Sequence, residues 1–191
     1  MKSITKHINE KLQLNHNRVK HYEYQPNTRN ALEKIIKEIT AQHKGDKVID
    51  LNMIDTSKIT NMSSLFINNN YQYDISQWDV SNVENMGFMF YNSKFNQNIS
   101  HWDDSNVRNM AYMFFETEFN QDISHWDVSN VRNMANMFKR SKFNRDISDW
   151  DVSNVIDMED IFLGAQFNKR LTKWADKIKD KKQLKYIQLY I

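Results

Sequence analysis

The apolar positions of this chain follow neither a helix period nor a strand period over any great length; they follow a frame of 24 residues. Trp78, Trp102, Trp126, Trp150 and Trp174 stand 24 apart. Around the first four the chain repeats itself: DISQWDVSNVENMGFMF from Asp74, NISHWDDSNVRNMAYMF from Asn98, DISHWDVSNVRNMANMF from Asp122 and DISDWDVSNVIDMEDIF from Asp146. Counted from those first residues, apolar side chains fall at unit positions 2, 5, 10, 13, 16, 17 and 22, and at position 7 in three of the four. The spacing of positions 10, 13, 16 and 17 predicts a short helix, with Asn85, Asn109, Asn133 and Asp157 at position 12 as its N-caps. Positions 1 to 5 predict a short strand, with a turn at Trp-Asp-Val-Ser. Phe95, Phe119, Phe143 and Phe167 at position 22 anchor the passage into the following unit.

A degenerate copy precedes these units, with Leu51, Ile54, Ile59, Met62, Leu65 and Phe66 in phase, and a decayed one follows, keeping Leu171 and Trp174. Decay at both ends is expected of terminal units, which meet solvent and become caps. Ahead of the repeat, Thr28 is a candidate N-cap for a helix whose stripe is Leu32, Ile35, Ile36 and Ile39, with Gly45 suited to its end. Ile4, Ile8 and Leu12 form another stripe, read as a helix packed on the cap or as a docking tail. After the repeat, Trp174, Ile178, Leu184, Ile187 and Leu189 among lysines predict a partly helical cap. The organisation expected is therefore an N-terminal helical tail and cap over 1–49, a repeat body over 50–169 and a C-terminal cap over 170–191.

One unit cannot bury its own apolar face, but stacked units can. The expected architecture is a solenoid, with adjacent units about 4.8 Å apart where they pair in parallel. Each buried tryptophan removes roughly 150–250 Å² from water. At ~25 cal/mol/Å² that is about 4–6 kcal/mol, an upper bound because unfolded chains are not fully extended.

Composition narrows the chemistry. Cysteine is absent, so neither a disulfide framework nor a thiolate metal site is available. The first 25 residues hold no apolar run long enough for a signal-peptide core, and no segment approaches the ~20 apolar residues of a membrane helix. The chain as written is expected in the cytoplasm, with no membrane span. Net charge is +2, unevenly spread: residues 50–168 carry 8 basic and 17 acidic side chains, residues 169–191 carry 8 and 2. The acidic body disfavours nucleic acid along the repeat. A membrane or nucleic-acid patch is the sharper alternative for the basic C-terminal end.

No catalytic motif is present, and a repeated ladder of carboxylates gives each member the same surroundings, whereas an acid–base pair needs contrasting ones. Asp79, Asp103, Asp127 and Asp151, and Asp74, Asp122 and Asp146, are read as caps of their own turns rather than as a calcium ladder. Asn82, Asn106, Asn130 and Asn154 are expected to act likewise. His101 and His125 share position 4 of adjacent units, but no third ligand accompanies them. No cofactor, no metal and no enzymatic activity are expected.

The motif DISxWDVSNVxNMxxMF followed by Phe-Asn resembles the BspA-like leucine-rich-repeat proteins and the related mycoplasma lipoprotein repeats, over about residues 50–175. Residues 24–39, YQPNTRNALEKIIKEI, resemble the N-terminal cap of that family. The resemblance implies a leucine-rich-repeat-like α/β solenoid, surface display or adhesion, and no shared catalytic residues. The opening KHINEKLQLN is similar to short N-terminal tails on proteins of gut bacteria and their phages.

In repeat proteins, binding falls on positions that vary while the core stays constant. Those are Gln77, His101, His125 and Asp149 at position 4, and Glu84, Arg108, Arg132 and Ile156 at position 11, with Phe88 and Tyr112 at position 15 as exposed aromatics. The expected function is macromolecular binding or scaffolding, with a protein partner. An exported adhesin, or an accessory protein recruited by its N-terminal helix, is the alternative.

Overall fold

The computed structural model describes residues 22–191. The Ile4, Ile8 and Leu12 stripe lies outside them. The first element is helix α1, Arg29–Gln42, which starts where the sequence places it: Thr28 has extended backbone and its Oγ1 accepts the Ala31 N–H at 3.2 Å. Leu32, Ile36 and Ile39 are buried. Arg29 Nε donates to the Ser63 carbonyl at 2.7 Å, and Thr40 Oγ1 lies 3.1 Å from the Tyr73 hydroxyl, so α1 is fastened over the degenerate first copy. The helix ends at Gln42, and Gly45 falls in the turn beyond it.

From there each 24-residue unit lies against the next in parallel. Bridges join Asn61, Asn85, Asn109, Asn133 and Asp157, all position 12, in one continuous line. The backbone bonds of the first unit show the scheme. Met86, Phe88, Phe90 and Asn92 donate their N–H groups to the carbonyls of Asn109, Ala111, Met113 and Phe115 in the next unit, at 2.8–3.0 Å. The intervening Met89, Tyr91 and Ser93 donate back within the unit, to Met86, Phe88 and Phe90. Alternate residues thus serve the ladder and the turn, and no donor in this run is wasted.

This arrangement replaces the helix expected over positions 10–17. A helix would consume every N–H internally, whereas here half of them join neighbouring units. The apolar spacing misleads because overlapping three-residue turns also bring positions 13 and 16 to one side. The turns require a left-handed residue at position 15, met by Ser64, Phe88, Tyr112, Asn136 and Asp160, with φ between 54° and 60°. Position 19 is also left-handed, and there the fourth unit carries Gly164 at φ 73°. The position-12 side chain still caps, but it caps a turn: Oδ1 of Asn85, Asn109, Asn133 and Asp157 accepts the N–H two residues on, at 2.9–3.0 Å.

The strand expected at positions 1 to 5 is likewise confined. Among the described residues only β1, Ile49–Asp50, and β2, Tyr73–Asp74, pair as strands, in parallel, with Ile49 opposite Tyr73. In later units the N–H of Trp102, Trp126 and Trp150 turns back onto the isoleucine carbonyl three residues earlier. Trp78 makes the same bond to the Ile75 carbonyl just beyond β2, so in every unit the chain turns at this point and no extended run reaches position 5. The third unit has a single 3-10 turn at Val128–Asn130.

Stacking identical units turns each apolar position into a column. Phe66, Phe90, Phe114, Phe138 and Phe162 stack with ring centroids 5.5–5.7 Å apart. Phe95, Phe119, Phe143 and Phe167 form a second column at 6.2 Å, and Trp126, Trp150 and Trp174 a third at 6.5 and 6.2 Å. The indole Nε1 of Trp78, Trp126, Trp150 and Trp174 each donates to a carbonyl of the preceding unit at 3.0–3.3 Å. The column is closed by α2, Thr172–Lys177, by 3-10 turns Lys181–Tyr186 and Gln188–Tyr190, and by Tyr190, which lies edge-on at 5.3 Å to both Phe162 and Phe167.

Candidate functional site: an aromatic and arginine strip

The turn segments that carry the ladder also carry the exposed aromatics. Phe88 and Tyr112 stack at 4.5 Å with an interplanar angle of 7°, and Tyr91 and Phe115 stack at 4.7 Å and 4°. The pairs adjoin at a tilt, with Phe88–Tyr91 at 5.8 Å and 39° and Tyr112–Phe115 at 5.7 Å and 41°. Phe88 is 37% exposed, Tyr91 and Tyr112 are half-buried, and Phe115 is largely covered. Ile67, one unit back from Tyr91, extends the strip as an exposed aliphatic.

The backbone sharpens the observation. Phe88 and Tyr112 hold the left-handed conformation with φ of 60° and 57°. The other units place Ser64, Asn136 and Asp160 there, and the last two are of the types that tolerate it best. An aromatic in that region costs roughly 1–2 kcal/mol. The two middle units hold bulky rings at this position against that cost.

Position 11 supplies charge. Glu84, Arg108 and Arg132 are exposed, with Arg108 Nε 3.8 Å from Glu84 Oε2. Arg132 forms no ion pair among the described residues. Ile156 completes the column as an aliphatic, 63% exposed.

Position 4 is exposed too, but its side chains are tied to their neighbours. His101 Nε2 is hydrogen-bonded to the Ser76 carbonyl, and Asp149 is paired with Lys173. Gln77 and His125 are exposed in the same column. The structure therefore brings Glu84, Phe88, Arg108, Tyr112 and Arg132 together on consecutive turn segments, and sets position 4 on a different stretch of each unit.

The aspartates behave as turn caps. Asp79, Asp103, Asp127 and Asp151 accept the serine N–H two residues on, and so do Asp74, Asp122 and Asp146. The Ser124 and Ser148 N–H groups hold the carboxyls of Asp122 and Asp146 below the usual range. Asn82, Asn106, Asn130 and Asn154 do not cap their own turns as expected. Each donates Nδ2 to a serine carbonyl of the unit before, at 2.7–2.8 Å, and so links units. Among the described residues no group of three or more His, Cys, Asp or Glu side chains is placed to hold a metal ion. Nor is any helix there long and apolar enough to cross a membrane.

One residue escapes the pattern. Asp104 occupies position 7, where the other three units carry Val80, Val128 and Val152. It is 2% exposed, and burial pushes its carboxyl up to about 7. The signal was present in the sequence as the single charged member of an apolar column.

The family described as Mycoplasma protein of unknown function, DUF285, matches residues 31–140 and again residues 115–187. The chain belongs to that family. The two matched stretches together run from within α1 to the C-terminal cap, so the DUF285 region includes the whole ladder and the aromatic strip. No curated protein and no solved structure matches this DUF285 chain.

Proposed function

We propose that this DUF285 chain is a leucine-rich-repeat-like α/β solenoid of the BspA type, and that it acts without catalysis as a module that binds another protein. Supporting the architecture are the 24-residue register of the parallel bridges and the caps at both ends. The observation that carries the function is the stacked pair Phe88–Tyr112, half-exposed on left-handed backbone that other units give to small polar residues. Backbone strain retained at an exposed position points to use of that position. Aromatic and arginine side chains are also the types most enriched at protein interfaces.

Affinity capture from lysate of the source cells tests the proposal, comparing wild type with Arg108→Glu/Arg132→Glu and with Phe88→Asn/Tyr112→Asn. Circular dichroism establishes that all three are folded. One partner held by wild type and lost by both variants supports the strip as the working surface. A partner retained by both variants removes the strip from consideration.

A further inference from the structure

The ladder has a direction, and its two ends are not alike. In the third unit Met134, Asn136, Phe138 and Arg140 donate to the carbonyls of Asp157, Glu159, Ile161 and Leu163. The matching donors of the fourth unit are the N–H groups of Met158, Asp160, Phe162 and Gly164. Gln183 Oε1 takes the first of these at 3.1 Å, so the C-terminal cap imitates a further unit at one point. The N–H groups of Asp160, Phe162 and Gly164 meet no acceptor among the described residues. At the opposite end the open groups are carbonyls, which proteins leave under-satisfied more readily than N–H groups.

A groove of about 210 Å³ runs along this open edge, lined by Phe162, Leu163, Gly164, Lys185, Tyr186 and Leu189 among others. Leu163 is 56% exposed and Leu189 is 92% exposed. The Asp160 carboxylate is turned away to Lys139, at 2.9 Å. The cap beside the groove is basic: residues 169–191 carry eight Lys or Arg against two Asp. Lys181 donates to the Ala175 carbonyl at 3.1 Å and Lys185 lies 4.6 Å over the Tyr186 ring, but neither they nor Lys182 form an ion pair among the described residues.

We propose that the N–H edge at Asp160, Phe162 and Gly164 docks a short acidic segment of another protein, which lies along the fourth unit as that unit lies along the third. A row of donors requires a row of carbonyls, the exposed leucines supply apolar contact, and the cap's lysines, which have no carboxylate partner of their own, select acidic side chains. A second copy of this chain fits less well. Its carbonyl edge is overlain by α1, with Ser63 already engaged by Arg29, and two capped ends would have to part before the ladders met. The site is separate from the aromatic strip, so either can fail without the other.

The chain itself provides the probe. Residues 157–166, DMEDIFLGAQ, hold the carbonyls that the third unit uses, and carry three acidic side chains. This synthetic peptide is titrated into the ¹⁵N-labelled full chain. Shifts confined to the Asp160, Phe162 and Gly164 amides and their surroundings are expected, with slowed hydrogen exchange at those three. Leu189→Glu, at a side chain almost wholly in solvent, weakens the response by about tenfold. Silence of the three amides at millimolar peptide overturns the proposal. So does an equal response to the peptide with its acidic residues replaced by lysine. Shifts at the same amides on concentrating the protein alone assign the edge to a second copy and overturn it equally.

Discussion

Asp127 donates its backbone N–H to Oδ1 of Asp104 at 3.0 Å, while Oδ2 of Asp104 is buried without a hydrogen-bond partner. The carboxyl sits between two units, with Asp103 and Asp127 as its nearest charges, both of which oppose its ionisation. It is a costly choice, because every other occupant of that column is valine or the hydrogen-bonded Thr56.

The sign of its effect on stability follows from linkage. Unfolded, Asp104 ionises near 3.8; folded, it keeps its proton to about 7. Below the first value both states are protonated and nothing is lost. Between the two the unfolded state binds fewer protons, so stability falls as pH rises, and above about 7 the full penalty stands. At ~1.4 kcal/mol per pKa unit the ceiling is about 4 kcal/mol. Asp104→Val is expected to be more stable than wild type at neutral pH, by a margin that shrinks toward pH 4. Urea melts across that window check it; a margin independent of pH would contradict the assignment.

Replacing the strained aromatics separates stability from binding. Phe88→Asn/Tyr112→Asn forfeits about 0.5–1.5 kcal/mol of ring stacking and the burial of two partly covered rings, but relieves roughly 1–2 kcal/mol at each left-handed residue, so the two sides nearly cancel. The variant is expected to melt within about 1 kcal/mol of wild type while losing its partner. A large loss of stability would show that the rings serve the fold instead.

The columns were legible from the sequence because stacking copies a side chain onto itself: Phe90 over Phe66, Trp150 over Trp126. So was the start of α1 at Thr28, since capping is a local matter. What the sequence concealed were the backbone bonds. Val83, Met86, Met89 and Phe90 have the spacing of a helix, yet the donors of Met86, Phe88 and Phe90 go to residues 23 positions further along, and no local window contains them. The donor role of Asn106 and Asn130 toward the preceding unit was hidden for the same reason. The aromatic strip was half visible: Phe88 and Tyr112 stood out by position, whereas Tyr91 and Phe115 join them only through the turns.

The tryptophans are chemically identical in sequence but not in the structure. Trp150 donates to the Ile123 carbonyl at 3.0 Å and stacks on both neighbouring indoles, whereas the Trp102 Nε1 is buried without a partner. Trp→Phe at either site removes similar volume, but only at 150 does it remove a hydrogen bond, leaving the Ile123 carbonyl with the Trp126 N–H alone. Trp150→Phe is expected to cost about 1 kcal/mol more than Trp102→Phe. Denaturant midpoints of the two variants at one pH decide it; equal losses would mean that the indole bond contributes nothing net.

Tyr190 tests what the C-terminal cap protects. Its ring lies edge-on against Phe162 and Phe167, the last members of two aromatic columns, and its carbonyl accepts the Leu171 N–H at 2.6 Å. Removing residues 181–191 therefore uncovers the column ends and also takes away the Gln183 bond to Met158. The truncation adds exposed apolar surface and a fourth free donor, Met158 N–H, to a ladder edge that is already open, the combination that drives association. The truncated chain is expected to self-associate in sedimentation at concentrations where Tyr190→Ala, which keeps the backbone in place, remains the smaller species. The full chain should be smaller than either. Were the truncation to sediment like the full chain and melt alike, residues 181–191 would be an appendage, and the units would need no cover at that end.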